Sequence, residues 1–317
     1  MSDDLNTKSS NAKIWAVGGG KGGTGKTFVL CQLAICLASS GKRVVVIDAD
    51  FGGANAHFFF GSRNSKQNLM DFFEHRESLD NLIQETRIKN LGLIVGNQSP
   101  LSASGIKHLQ KLKFFRHLKH LDTDYILLDL GAGTHYHTID FFLQADRMIA
   151  VTVPEIIAID NLFHFIKNAY FRKLHHGFSQ YGIRETAKNL WANRQDYGIK
   201  TIQELLQQLA LTIPNLDESI MNDLRQFPVC LVLNKIRNPN DVLEGFSVKS
   251  ICIKYLGVEA FYSGYLEYDN QFWKNISLMP SKKFTVSPRI TQEIVTIAQN
   301  IRSGTQVKID RIKVKNV

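Results

Sequence analysis

One stretch near the N-terminus constrains the fold of this chain more than any other feature. It runs Gly20-Lys-Gly-Gly-Thr-Gly-Lys-Thr27 and fits the pattern Gly-x-x-x-x-Gly-Lys-[Ser/Thr]. The apolar run Lys13–Val17 before it predicts a short buried strand, and Phe28–Ser40 after it predicts a helix that Gly41 ends. A glycine loop between a buried strand and a helix is the context in which this pattern binds phosphate. The sequence therefore predicts a P-loop and a nucleotide ligand.

The residue types in this loop suit a polyphosphate and a Mg²⁺ ion. Because glycines carry no side chain, the backbone N–H groups can turn onto phosphate oxygens above the positive end of the helix. Lys26 is predicted to contact the β- and γ-phosphates, and the Thr27 hydroxyl is predicted to ligate Mg²⁺. The predicted nucleotide-binding residues of the loop are Gly20, Gly22, Gly23, Thr24, Gly25, Lys26, Thr27 and Phe28.

The composition limits the class of protein. With 317 residues, 44% of them hydrophobic, the chain is long enough for one large α/β domain or two small ones. Apolar runs such as Met148–Val153 are far shorter than the ~20 residues that a membrane span needs. Residues 1–12 are polar, which predicts a disordered lead and not a signal peptide. The cysteines show no Cys-x-x-Cys spacing, which indicates a reducing cytoplasm.

The chain is basic, with a formal net charge of +9. This excess favours contact with polyanions such as nucleic acid or acidic lipid. A diffusely basic surface with no such ligand is the alternative, and the composition alone leaves both open.

Apolar runs alternate with helical segments along the chain. Their continuous apolar character predicts strands buried on both faces, and hence a doubly wound, mostly parallel α/β sheet with helices on both faces. We expect one P-loop domain over residues 13–304, with a helical insertion at 171–227 and a basic tail at 305–317. The further predicted strands are Arg43–Asp48, Gly92–Val95, Tyr125–Asp129, Arg147–Val153 and Val229–Leu233.

Carboxylates end two of the predicted strands. Asp48 and Asp50 follow the run Arg43–Ile47, and Asp129 ends the run Asp124–Asp129. Such residues commonly cap a turn, but beside a phosphate loop they suit metal chemistry. Asp48 and Asp129 are predicted beside Mg²⁺, Asp48 through a water, and Asp50 is predicted to orient the water that attacks the γ-phosphate. The glycines after each acid predict two mobile loops.

Asn234 and Lys235 stand near the end of the predicted strand Val229–Leu233 and are counted as nucleotide-binding candidates. The amide of an Asn can pair with the adenine edge through its donor and its acceptor. An Asn at this place can equally form a turn, and the residues alone leave the two readings open.

Together these motifs resemble the MinD/ParA class of P-loop ATPases, which carry a deviant Walker A sequence. Gly18–Thr27 matches the class pattern Lys-Gly-Gly-x-Gly-Lys-[Ser/Thr], and Lys21 stands at its signature lysine. Asp48-Ala-Asp50 matches the first switch loop of the class. The resemblance covers about residues 13–170 and 228–300.

This resemblance implies ATP and Mg²⁺ as cofactors and an ATP-dependent homodimer. Two ATP-loaded subunits would pair face to face, with Lys21 of each on the phosphates held by the other, which couples pairing to hydrolysis. Lys21, Lys26 and Asp50 are then the expected catalytic residues of a slow, partner-regulated ATPase. The resemblance also favours Asn234 as an adenine contact.

Within the class, several stretches resemble the flagellar-number regulators of the FlhG/FleN type. The resemblance implies a positioning switch that is cytoplasmic and peripheral on the inner face of the cell membrane. It would regulate flagellar number or placement there, with an acidic membrane surface and an unidentified regulatory protein as partners. The matching stretches are Asp48–Asn55, Asp129–Gly133, Thr152–Glu155, Ala158–Asp160 and Gly264–Asp269.

Three stretches depart from that branch. Residues 1–12 lack a segment like Asp-Gln-Ala-x-x-Leu-Arg, through which the branch stimulates a GTPase partner. The insertion 171–227 is a candidate surface for docking a partner. The apolar residues of the tail 305–317 scatter around a helical wheel. A membrane anchor there would depend on basic residues with inserted aliphatic side chains.

A ParA-type partition ATPase that moves cargo on DNA is the alternative function. The basic segment Lys107–His120 suits phosphate contacts, although a solvated helix face has the same pattern. An iron–sulfur carrier on the same type of loop is excluded, because no cysteine follows Asp129 or lies in the predicted switch loops.

Replacing the P-loop lysine tests the loop assignment. Lys26→Ala is expected to abolish ATP binding, because it removes a charge-assisted contact worth about 2–3 kcal/mol or more. Calorimetric titration of Mg·ATP into the purified variant measures this. An affinity equal to that of the unchanged chain would contradict the assignment.

Overall fold

A mostly parallel sheet runs through the middle of the chain. The computed structural model describes residues 12–51, 53–60, 67–96, 106–213, 216–270 and 286–308. In chain order the strands are β1 (Lys13–Gly18), β2 (Val44–Ala49), β3 (Gln84–Glu85), β4 (Leu91–Ile94), β5 (Tyr125–Leu130), β6 (Arg147–Thr152), β7 (Val229–Ile236) and β8 (Ala260–Glu267).

These strands form one sheet in the order β3-β4-β2-β5-β1-β6-β7-β8. The short strand β3 is antiparallel to β4, and the other paired strands are parallel. This order confirms the predicted doubly wound α/β fold. Each parallel pair needs a crossover, which the helices between the strands supply.

Helices connect the strands and cover both faces of the sheet. They are α1 (Lys26–Ser39), α2 (His57–Phe60), α3 (Leu69–Phe73), α4 (Leu79–Leu82), α5 (His108–Leu118), α6 (Tyr136–Leu143), α7 (Ile156–Gln180), α8 (Arg184–Ala192), α9 (Ile202–Thr212), α10 (Glu218–Arg225), α11 (Glu244–Leu256) and α12 (Pro288–Ser303). A 3₁₀ turn spans Pro239–Leu243. None of the described helices is both long and apolar enough to cross a membrane.

Two apolar layers hold these helices on the sheet. In β1, Ile14 and Ala16 belong to the layer that contains α5 to α11, and Trp15 and Val17 belong to the layer with α1 and α12. Neighbouring strand residues point to opposite faces, so both sets are buried. This is why the strands read as continuous apolar runs in the sequence.

Most predicted strands end within about two residues of where we placed them. The strand after Val229 is longer than predicted, because it continues through Asn234 to Ile236. The helix after the glycine loop begins at Lys26 rather than Phe28. The apolar runs did not predict β3, which has only two residues, or β8, whose apolar run is interrupted by Ser263 and Gly264.

The segment 171–227 contains the C-terminal part of α7 and the helices α8, α9 and α10. Side chains such as Leu190, Leu209 and Leu224 pack into the same layer as Ile14 of β1. The assignment of this segment as an insertion in a single domain stays a prediction. The predicted disordered lead, except Ala12, and the tail beyond residue 308 lie outside the described residues.

Candidate functional site

A cleft of about 660 Å³ opens at the carboxyl ends of β1, β2 and β5. The loop between β1 and α1 forms one wall, and the loops after β2 and β5 form another. In open α/β sheets, ligands bind at this edge, near the point where successive strands change sides. The cleft is lined by Gly22, Gly23, Gly25, Lys26, Thr27, Phe28, Asp50, Asn55, Phe58, Phe59, Ala132 and Lys235.

Close packing explains why two positions of the loop are glycine. A Cβ on Gly20 would lie 2.0 Å from the backbone oxygen of Asn161, so the loop backbone rests directly on α7. Gly25 has a φ of 88°, and a Cβ there would lie 2.2 Å from Nδ2 of Asn234. Any side chain at Gly25 would therefore meet both backbone strain and a clash with β7.

Two side chains of β7 hold the loop by its carbonyl oxygens. Asn234 Nδ2 donates to the oxygen of Thr24 at 2.9 Å, and Lys235 Nζ donates to the oxygen of Gly23 at 2.8 Å. The peptide unit is planar, with its C=O and N–H on opposite sides. The N–H groups of Thr24 and Gly25 therefore point away from β7. They give the loop backbone donors of the kind that bind phosphate.

Asn234 and Lys235 are the predicted site residues whose placement is most informative. The Asn234 side chain is 2% exposed, and its Oδ1 accepts a hydrogen bond from the Lys235 backbone N–H at 2.9 Å. Lys235 has a φ of 60°, a conformation that few residues other than glycine adopt. The Asn234 side chain therefore holds the glycine loop in place. Its predicted adenine contact stays a prediction.

Lys26 lies at the start of α1 and is 8% exposed. Its ammonium donates to the carbonyl oxygen of Lys21 at 3.2 Å, within the same loop. Burial lowers the pKa of Lys26, and the nearby carboxylates of Asp129 and Asp50 act in the opposite direction. The ammonium is therefore placed between the loop backbone and two acids.

Asp48 and Asp129 are buried acids on the neighbouring strands β2 and β5, close to Lys26 and Asp50 of the cleft. Each is 1% exposed. Asp48 accepts backbone N–H bonds from Asp50 at 3.2 Å and Ala56 at 3.0 Å, while burial raises its pKa to about 6. Burial, and then the charge of Asp48, raise the pKa of Asp129 well above its usual range, while the Thr27 hydroxyl lowers it.

The environment of Asp129 fits Mg²⁺. The Thr27 hydroxyl is close enough to lower the pKa of Asp129, but neither carboxylate oxygen makes a hydrogen bond of normal geometry in the described part of the chain, although both are buried. Unpaired buried carboxylate oxygens are costly, and hard cations such as Mg²⁺ prefer oxygen ligands and retain water. Thr27, Asp129 and, through a water, Asp48 could hold such an ion beside the phosphates.

Asp50 lies where the two predicted mobile loops meet. A Cβ on Gly131 would lie 2.7 Å from Asp50 Oδ1, and one on Gly53 would lie 2.9 Å from Oδ2. Burial raises the pKa of Asp50, and the charge of Lys26 lowers it. Gly133 N–H donates to the oxygen of Gly19 at 3.1 Å, which ties the loop after β5 to the glycine loop. Asp50 thus contacts both loops.

Lys21 lies on the rim of the cleft. Its Nζ is 3.1 Å from Oε2 of Glu155, at the N-terminal end of α7. The two side chains are 38% and 64% exposed. The ammonium therefore lies at the molecular surface, and its predicted contact with the phosphates of a second subunit stays a prediction.

Five residues of this region were not predicted as site residues. Asn55, Phe58, Phe59 and Ala132 line the cleft, and Glu155 pairs with Lys21. The run His57-Phe-Phe-Phe60, directly after the loop that follows β2, is the signal that could have identified the aromatic wall. The Glu155 contact joins residues 134 positions apart, and no local pattern reports it.

The region that contains the cleft matches a family model. Residues 15–276 match the model described as the CobQ/CobB/MinD/ParA nucleotide binding domain. Every predicted site residue lies within this range.

Curated relatives match about half of the chain. A putative septum site-determining protein MinD of Tupiella akineta is 37% identical over 161 residues, which are 50% of this chain and 51% of that protein. The antiactivator FleN of Pseudomonas aeruginosa is 31% identical over 157 residues, which are 49% of this chain and 55% of that protein. The chain thus spans about half the length of the curated relatives it matches.

The fold is similar to that of a solved structure of the septum site-determining protein MinD, complexed with Mg-ADP, from Pyrococcus horikoshii. The TM-score is 0.60 at 17% identity, and the match covers 96% of this chain and 100% of that chain. This likeness supports the topology described above.

Substituting Gly25 tests the arrangement of the loop. Gly25→Ala is expected to lower the free energy of unfolding by about 1–3 kcal/mol, because the new Cβ meets an unfavourable φ and displaces Asn234. Gly22→Ala is the matched control, because a Cβ there would meet nothing within 4 Å. Urea unfolding of the nucleotide-free variants measures both. Equal stability of the two variants would refute the contact between the loop and β7.

Proposed function

The chain belongs to the CobQ/CobB/MinD/ParA nucleotide-binding family, and from this premise we propose that it is an ATPase switch that dimerises when ATP is bound. The observation that carries the proposal is the cleft in which Lys26 and Thr27 lie beside the buried acids Asp48 and Asp129. A glycine loop held by β7 binds the phosphates, and the acids hold Mg²⁺ beside them.

The side chains of the cleft have separate roles in ATP hydrolysis. The Lys26 ammonium contacts the β- and γ-phosphate oxygens, and the loop N–H groups orient them. Asp50 lies next to Lys26 and between the two glycine loops, where it orients the attacking water. When bound, Mg²⁺ neutralises negative charge on the phosphate oxygens.

Dimerisation would use the surface around Lys21. On that surface Ile156 and Ile157, which follow Glu155, are 88% and 66% exposed. Exposed aliphatic side chains beside a functional cleft are typical of an interaction surface. Lys21 would leave Glu155 and contact the phosphates of the second copy, which stabilises charge in the transition state.

The cellular role that we propose is regulation of flagellar number or placement, or a related positioning task, at an acidic membrane surface. The similarity to the antiactivator FleN supports a role in flagellar regulation. The net charge of +9 supports contact with an acidic membrane surface. A regulatory protein would set the slow rate of hydrolysis, and the switch would cycle between the cytoplasm and the inner face of the membrane.

A DNA-binding partition ATPase is the second candidate. The observation that favours it is the outer side of α5 and its C-terminal cap, where Lys113, Arg116 and Lys119 are exposed at intervals of three residues. Such a stripe suits phosphate contacts along a duplex. Binding of random DNA that needs ATP and falls steeply with salt would favour this candidate over a membrane role.

Removing the predicted water-orienting acid tests the ATPase proposal. Asp50→Ala should still bind Mg·ATP, because the loop and Lys26 are unchanged, but its turnover should fall at least about tenfold. Asp196→Ala, in an exposed turn, is the control. Phosphate release and calorimetry measure the two properties separately. Turnover by Asp50→Ala at the rate of the control would move the catalytic role to another residue.

Sedimentation with acidic liposomes tests the proposed membrane role. The chain should pellet with phosphatidylglycerol vesicles in Mg·ATP, because two copies together present twice the basic charge, and it should stay in the supernatant in Mg·ADP. Deleting residues 309–317 tests the predicted anchor and leaves the hydrogen bond from Val307 to Tyr262 in place. Absence of pelleting with either nucleotide would contradict the membrane role.

A further inference from the structure

A groove of about 350 Å³ lies between α7, α8 and α9, apart from the nucleotide cleft. None of the residues that line it lines the nucleotide cleft. Its floor is formed by buried aliphatic side chains, and its walls are aromatic. Trp191, on one wall, is 37% exposed. The main apolar residues are Phe171, Leu174, Phe178, Ala187, Trp191 and Leu205.

The charged and titratable side chains that line this groove are all basic. They are His175 on α7 and Arg184 and Lys188 on α8, and each is exposed. Arg184, Lys188 and Trp191 follow one another at i, i+4 and i+7 on α8, so they share one side of the helix. The groove therefore combines an apolar floor with a positive rim.

Beside the groove, Arg172 and His176 of α7 and Lys111 of α5 surround the carboxylate of Asp140 on α6. Lys111 Nζ lies 2.5 Å from Asp140 Oδ2, and Arg172 Nε lies 2.9 Å from Asp140 Oδ1, so two cations share one carboxylate. The imidazole of His176 lies 3.8 Å from the same carboxylate. Two cations against one carboxylate leave this cluster with a net positive charge beside the groove, which would add to the attraction of the basic rim for an acidic partner.

We propose that this groove docks an amphipathic helix of a partner protein. The apolar side of that helix would lie on the aromatic walls, and its acidic side chains would pair with Arg184 and Lys188. The proposal concerns a surface outside the nucleotide cleft and does not depend on the proposed ATPase function.

The shape of the groove favours a helix over a lipid surface. Leu174 and Leu205 in the floor are 1% and 4% exposed, so a ligand must enter a concavity to reach the apolar contacts around them. A bilayer instead takes up aliphatic side chains that protrude from a protein. An inserted helix side chain can fill a concave apolar site, as in helix-in-groove recognition.

A labelled model peptide tests the proposal directly. The probe is a fluorescein-labelled amphipathic helix of leucine and glutamate, and its leucine–lysine counterpart is the matched control. Fluorescence anisotropy should show binding of the glutamate peptide and at least about tenfold weaker binding of the lysine peptide. The affinity for the glutamate peptide should fall as salt is raised, because the rim charges are exposed.

Two variants with changed groove residues, and one control outside the groove, locate the binding. The Arg184→Glu/Lys188→Glu variant should bind the glutamate peptide at least about tenfold more weakly and the lysine peptide more tightly than the unchanged chain does. Arg116→Glu/Lys119→Glu, at the C-terminal end of α5, makes the same change in net charge outside the groove lining and should leave the affinity for the glutamate peptide within about twofold. Trp191→Ala removes one wall and should also weaken binding.

Three results would overturn the proposal. The first is equal binding of the two peptides, and the second is unchanged binding by the Arg184→Glu/Lys188→Glu variant while its circular dichroism stays that of the unchanged chain. The third is displacement of the peptide by phosphatidylglycerol vesicles, provided that these vesicles bind the unchanged chain and do not bind the Arg184→Glu/Lys188→Glu variant. That result would show that the groove binds lipid.

Discussion

Two side chains of β7 hold the glycine loop by its carbonyl oxygens, and the geometry of the cleft depends on these two hydrogen bonds. Asn234 and Lys235 donate hydrogen bonds to the carbonyl oxygens of Thr24 and Gly23, so the N–H groups of the same peptide units point away from β7. The bond between Asn234 and Thr24 is buried, and leaving its groups unpaired would cost about 1–3 kcal/mol, which makes this arrangement strongly preferred. The close contact between Gly25 and Asn234 leaves no room for a side chain. The donors that would meet a phosphate are thus set by β7 before a ligand arrives.

Buried charge is the second determinant of the cleft. Burial raises the pKa values of Asp48, Asp50 and Asp129, and it lowers the pKa of Lys26. Three acids near one ammonium favour a further cation, because like charges in a buried site oppose the ionisation of one another. A divalent cation with its own charge would satisfy this site. The same groups that make the ligand-free cleft electrostatically unfavourable therefore suit it to a nucleotide with Mg²⁺.

The helix α7 joins the two functional surfaces that we describe. Its N-terminal end meets the cleft through the Lys21–Glu155 pair and the packing of Gly20 on Asn161. Its other end forms one wall of the basic-rimmed groove. At about 1.5 Å per residue, the 25 residues of α7 place these ends far apart on one rigid element. One helix thus separates the nucleotide cleft from the proposed docking surface.

The sequence predicted the parts of the fold that local patterns encode. The apolar runs predicted the parallel strands, and the glycine loop with its flanking elements predicted the position of the cleft. The roles of individual side chains depend on distant contacts and were not predictable in this way. Asn234 bonds a residue 210 positions away, and Lys21 pairs with one 134 positions away. The packing of Asp50 against Gly131 likewise joins two loops that only the folded sheet brings together.

Analytical ultracentrifugation tests the ATP switch most directly. The sample is the Asp50→Ala chain, in which slow hydrolysis should preserve ATP, with Mg·ATP or with Mg·ADP. We expect a dimer with Mg·ATP and a monomer with Mg·ADP. Adding Lys21→Ala should return the Mg·ATP sample to a monomer, because the charge that reaches the second copy is lost. The same sedimentation coefficient with both nucleotides would refute the ATP-dependent dimer.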